Sequence, residues 1–322
     1  MFARNYKKQN IFKRTLLKLL KLYAFDKETL NIVNPNYKNQ SKNYYKFNKK
    51  TYILSKGYLD LERKINKLDI YFRFAPSNQL WNSTNRWKRI IPNINKETLI
   101  KVCLLSLKNS IHKFLEKNFL EIKIHLIADN SNEKFNNEIL SLLKSENFKS
   151  ILHNSKISGN RGSYVECCDQ AEKAEDLIFF IEDDYLFEIN SIDELIFTYS
   201  RLSTLFKKDI FICPSDYPFY YDSAYNTSLF VGKNYRWRYV KETLLTFLFS
   251  KKLLNQHKKE IRLVGEKINE PFEKPLHKVY NDTPCLAPVS SLSYHISRSV
   301  PAINEDWLKV WDHNYQKLIK IK

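Results

Sequence analysis

From residue 67 onward, short apolar runs alternate with segments of helical periodicity, and this rhythm constrains the fold more than any other feature of the chain. "KLDIYFRFA" (67–75) reads as a strand. "KETLIKVCLLSLKNSIHKFLEKN" (96–118) reads as an amphipathic helix carrying Leu99, Val102, Leu105 and Leu107, and "LEIKIHLIADNS" (120–131) as a second strand ending at Asp129. Helix, short strand and helix follow over "NEKFNNEILSLLKSE", "FKSILHN" and "SGNRGSYVECCDQAEKAED". The strand "LIFFI", the helix "SIDELIFTYSRLSTLF" and the strand "DIFICPSD" complete the series. Such alternation predicts an α/β fold with a mostly parallel central sheet and helices on both faces. The expected organisation is a basic N-terminal segment over 1–60, an α/β half over 61–225 and a second half of the same globular domain over 226–322.

At 322 residues, 43% hydrophobic and 14% aromatic, the chain has ample material for a core. Its net charge of +18 predicts attraction to polyanions, whether nucleic acid, anionic lipid headgroups or phosphorylated small molecules, without choosing among them. The lysines are spread over the whole chain with no recognition motif, so no nucleic-acid partner is expected. Five scattered cysteines lack disulfide or zinc spacing and fit a reduced, cytoplasmic protein. No run approaches the roughly 20 apolar residues of a membrane span, and no signal peptide is visible. Within 11–25, Phe12, Leu16, Leu19, Leu20 and Tyr23 share one helical face opposite Arg14, Lys18 and Lys21. Such a helix packs on its own domain or lies peripherally on the inner face of a membrane. "NPNYKNQSKNYYKFNKK" after it reads as a solvated linker.

In sheets of this kind ligands bind outside the carboxyl ends of the strands. Three strands end there in acids: Asp129, the triplet Glu182, Asp183 and Asp184 in "DLIFFIEDDYLFEI", and Asp216. Adjacent carboxylates repel, and a divalent cation relieves the repulsion; hard oxygen ligands favour Mg2+ or Mn2+, which arrive with phosphates. The competing reading is a loop of solvated acids.

"FFIEDDY" resembles the Asp-x-Asp element of GT-A-fold nucleotide-sugar glycosyltransferases, family 2-like, in which a hydrophobic strand ends in an acid-x-acid triplet. "LIADNS" and "SGNRGSYVECCDQAEKA" look like that fold's second-strand acid and nucleotide loop. The resemblance implies a metal-dependent transfer from a nucleoside-diphosphate sugar donor to a glycan or lipid-linked acceptor, in surface polysaccharide synthesis. It places Asp129 on the nucleoside, Asn160 and Arg161 beside the phosphates, Glu182 and Asp183 at the ribose or metal waters, and Asp184 on the metal. Glu182 is a second metal candidate, because its place is held by Glu rather than Asp. A late histidine, here His295, is implied as a further ligand. The alternatives are nucleotidyltransfer onto a sugar phosphate and a basic nucleic-acid-binding protein.

Arg73, and Arg86 or Arg89 in the following loop, are positioned to face a nucleotide, with a solvated loop as the competing view. Asp216 and Glu242 are candidates for the acceptor's general base, though each reads equally as a surface carboxylate. "NYRWRYVKETLLTFLFSKKLL" (234–254) offers Trp237 and Tyr239 for stacking on sugars, followed by an expected amphipathic helix.

Overall fold

The computed structural model describes residues 15, 19, 22–25, 44–47, 50–54, 61–77, 91, 94–145, 147–222, 227–296, 301–302 and 305–321. Two units divide the chain, 1–61 and 62–322. In the first, β1 (Leu22–Phe25), β2 (Tyr44–Phe47) and β3 (Lys50–Leu54) form a small sheet in the order β1-β3-β2, with β3 parallel to β1 and antiparallel to β2. This corrects two expectations. Thr15 and Leu19 are helical, but "LYAF" is a strand, so no single helix runs over 11–25; the polar linker likewise contains strand. Aromatic and β-branched residues in "LYAF", "YYKF" and "KTYIL" carry the strand preference that the surrounding Lys and Asn hide. The rest of the 11–25 segment lies outside the described residues, as do Arg86 and Arg89.

The second unit runs β4 (Lys67–Phe74), α1 (Lys96–Leu115), β5 (Glu121–Ala128), α2 (Glu133–Leu143), β6 (Lys149–Asn154), α3 (Asn160–Ala171), β7 (Leu177–Glu182), β8 (Tyr185–Phe187), α4 (Ser191–Phe206) and β9 (Phe211–Ile212). It continues through β10 (Leu229–Val231), β11 (Arg236–Tyr239), β12 (Phe247–Ser250), α5 (Lys251–Gln256), α6 (Lys258–Glu266), α7 (Lys274–Asp282), β13 (Cys285–Val289), β14 (Ser293–His295) and α8 (Trp307–Ile321). Nine strands form one sheet in the order β10-β11-β13-β9-β12-β7-β4-β5-β6, with β12 and β11 reversed against the rest. This is the expected α/β layout, a large, mostly parallel central sheet with helices on both faces.

The pleat sorts side chains between the two faces. Tyr71 points to α3, where its hydroxyl donates to Gln170 O at 3.2 Å; Phe74 points to the other face and meets Phe135 of α2 with ring centroids 5.9 Å apart. Both faces of β4, β5 and β7 are covered, and in β7 this gives the continuous apolar run "LIFFI", while β4 and β5 bury polar residues such as Asp69, Arg73 and His125 as well.

The helix expected after Tyr239 is instead a loop, then β12, then α5. Phe247, Leu248, Phe249 and Ser250 are all buried between β7 and β9, and a short apolar run of this kind takes strand or helix according to its neighbours. No helix among the described residues is long and apolar enough to cross a membrane.

Candidate active site

The chain leaves β4 for β5 and β6 on one side, then crosses to β7 on the other, so β4 and β7 flank the point where strand order reverses. A crevice opens at such a point, outside the strands' carboxyl ends. Arg73 and Glu182 are register partners there. The parallel β4–β5 pairing brings Asp129 to the same edge: its N–H donates to Phe74 O at 2.9 Å.

The three acids diverge because successive residues at a strand end point to opposite faces. Glu182 lies on the α3 face and pairs with the Arg73 guanidinium, which also binds the Asn160 side chain and Asn160 O (3.1 Å) and lies 5.7 Å from the centre of the Tyr164 ring. Asp183 lies on the other face, where its oxygens accept from Lys96 Nζ at 2.5 Å and Ala75 N at 3.0 Å. Asp184 occupies the turn into β8. Since β8 pairs with β14 in a two-stranded ribbon, His295 arrives opposite Tyr185, with Nε2 3.2 Å from Asp184 Oδ2 and its ring stacked on Tyr185 at 4.7 Å.

Each acid therefore has a basic partner: Arg73, Lys96 and His295 respectively. Burial pushes the Glu182 and Asp183 carboxyls up, while Arg73 and Lys96 pull them back. Mutual repulsion alone thus does not require a cation, contrary to the sequence argument. The donor set does suit one: Glu182, Asp184 and His295 bring one ligating atom each to within 4.8 Å of one another. Two carboxylates and an imidazole suit a divalent ion such as Mn2+, and zinc accepts the same set.

Beside this group, Asp129 Oδ2 accepts from Gly159 N at 2.9 Å, while its Oδ1 is buried with no protein partner among the described residues. Gly159 has φ of +93°, a left-handed conformation that suits glycine. A Cβ on Gly162 would lie 2.0 Å from Ile157 O, so the loop can turn this tightly into α3 only with glycine there. Asn160 and Arg161 occupy the exposed first turn of α3.

The base candidates hold other contacts. Asp216 is buried, with Oδ1 on Arg238 and Oδ2 accepting from Tyr221 Oη (2.6 Å) and Ser290 N (3.1 Å). Glu242 groups with Glu273 and His277. Lys96 and Thr246, whose Oγ1 accepts from Glu182 N at 3.3 Å, have no signal in the sequence, since each lies far along the chain from the acid triplet.

No protein-family model and no curated protein matches the sequence. Among solved structures, the chain is similar to a UDP-glucose pyrophosphorylase complexed with UDP-glucose, at 9% identity and a TM-score of 0.41, covering 80% of this chain and 100% of that one. It is also similar to S. aureus TarS 1-349 (11% identity, TM-score 0.42, 71% of this chain and 60% of that one). The glycosyltransferase GlyE from Streptococcus pneumoniae TIGR4 is a third (13% identity, TM-score 0.42, 80% and 64%). The chain thus spans less than two thirds of the TarS and GlyE chains, and with scores this low no function follows from the likeness.

Proposed function

We propose that this chain is a metal-dependent glycosyltransferase that binds a nucleoside-diphosphate sugar at the β4–β7 crevice. One observation carries the reading: Glu182, Asp184 and His295, drawn from two distant stretches of chain, converge on the edge where Asp129 fixes the glycine loop. When bound, a divalent ion would supply positive charge against the diphosphate that departs from the anomeric carbon. Glu182, Asp184 and His295 would hold it. Arg73 keeps Glu182 and Asn160 in place together, so the ligand edge and the loop move as one body. Asp129, whose buried Oδ1 has no partner among the described residues, would serve the nucleoside, and Arg161 adds a cation at the N-terminus of α3, where backbone N–H groups favour phosphate.

The test is a thermal-shift screen of UDP, GDP, CDP and dTDP and their sugars, with and without Mn2+, on the wild type and on Asp184→Asn and His295→Gln. A ligand that binds only the native state raises the melting point by linkage. One nucleoside diphosphate should give a Mn2+-dependent rise that both variants lose. A rise with a nucleoside triphosphate plus a sugar phosphate, accompanied by pyrophosphate release, would replace glycosyl transfer by nucleotidyl transfer. No rise with any nucleotide would sink both.

A further inference from the structure

A second group of ligating side chains lies outside the crevice. Glu242, Glu273 and His277 bring one ligating atom each to within 4.8 Å of one another. Glu273 immediately precedes α7 and His277 lies four residues on, so the helix presents both on one side. Glu242 comes from the loop between β11 and β12, where Leu244 and Leu245 adopt φ of 48° and 61°.

Glu273 holds that loop: its Oε1 accepts from Thr243 N (2.6 Å) and Leu244 N (3.2 Å), and its Oε2 from Thr243 Oγ1 (2.9 Å). A carboxylate oxygen has two lone pairs, so Oε2 keeps one for a further partner. His277 Nε2 is buried, has no hydrogen-bond partner among the described residues and lies 4.0 Å from Glu273 Oε1.

The two groups differ in their countercharges. In the acid triplet, Arg73 and Lys96 neutralise two of the carboxylates. Among the described residues no lysine or arginine forms an ion pair with Glu242 or Glu273. The group also borders a cavity of about 550 Å³, lined in part by Phe219, Tyr220, Tyr239 and Lys241, so an ion there would keep an open coordination position.

We propose that Glu242, Glu273 and His277 form a second divalent-cation site of the zinc class, distinct from the crevice site. One imidazole and two carboxylates are a ligand set that zinc accepts. All five cysteines are buried, with their thiols pushed up by burial, so none offers a competing thiolate. An ion here would supply the countercharge that Glu273 lacks. It would also fasten the 242–246 loop, whose Thr246 supports Glu182.

Equilibrium dialysis of the full chain against Zn2+ alone tests this, with bound metal counted by elemental analysis. The variant Asp184→Asn/His295→Gln silences the crevice group, which makes the result independent of the glycosyltransferase reading. That variant should still bind one Zn2+ per chain, and adding His277→Gln or Glu242→Gln should weaken binding at least ~10-fold, since each removes a direct ligand. Both positions are partly exposed, and circular dichroism reports whether the fold survives. No Zn2+ bound by the Asp184→Asn/His295→Gln variant, or affinity unchanged by both added substitutions, overturns the proposal.

Discussion

The Asp183 carboxylate sits 2.5 Å from the Lys96 ammonium, and its other oxygen takes the Ala75 N–H at 3.0 Å. The middle acid of the triplet therefore ties the exit of β4 to the first turn of α1, and it is not one of the three side chains that converge at Glu182, Asp184 and His295. Its place in the sequence suggests a ligand contact; its partners give it a structural task.

Asp183→Asn should accordingly lower stability by about 3 kcal/mol, because it strands a buried ammonium. Lys96→Met should cost a similar amount. The double variant should cost less than the sum, a coupling that urea unfolding of the four proteins would measure. If Asp183→Asn leaves the urea midpoint in place yet abolishes nucleotide binding, Asp183 is a ligand contact after all.

Arg73→Lys keeps the charge and loses the fork. A single ammonium cannot serve Glu182, Asn160 O and the Asn160 side chain from within the sheet, so the ligand edge and the glycine loop should uncouple. The expected loss is about 2 kcal/mol in stability, with weaker nucleotide binding at any Mn2+ concentration. Wild-type affinity in this variant would show that Arg73 does not position the loop.

A pH dependence follows from the ring pair on the α3 face. His125 stands between Asp69 (Nε2 to Oδ1, 3.1 Å) and His153 (Nδ1 to Nε2, 3.1 Å). Burial first, and then the neighbouring His125 ring, hold His153 below its ordinary value, with Lys173 and Lys123 acting in the same direction and Glu166 against it. A histidine depressed in the folded state is neutral in both states above about pH 6.5. As pH falls below that, the unfolded chain takes up the proton first and stability drops, until the folded ring protonates too. Urea midpoints measured from pH 7.5 to 5 should fall, and His153→Gln should make the fall shallower. An identical slope in the variant would assign the effect to His112 or His257, which burial also depresses.

Much of this architecture can be read in one dimension. "LIFFIEDD" is buried on both faces and then stops at charge, and those two facts locate β7, its carboxyl end and the acids together. The partners of those acids could not be read, because Lys96 and Arg73 meet them across 87 and 109 positions through sheet pairing. His295 reaches Asp184 only because β14 pairs with the three-residue β8. Asp216 likewise has a partner that its neighbours in the chain do not reveal. It ends a strand as a ligand-binding acid would, yet Arg238, from a strand two places away in the sheet, claims it. "TFLFS" continues a helix-like run, and only its seat between β7 and β9 makes it a strand.

That seat has a consequence for how the molecule comes into being. β7 and β9 are synthesised well before β12, but β12 is hydrogen-bonded to both. A nascent chain that has emerged only as far as residue 225 carries β4, β5, β6 and β7 with one flank of β7 bare, a row of unpaired backbone groups open to any passing strand. Residues 61–225 are therefore not an independent module that can be cut out, fused or swapped at that boundary. Evolution or an engineer can exchange residues 226–322 only by supplying a strand to take the place of β12.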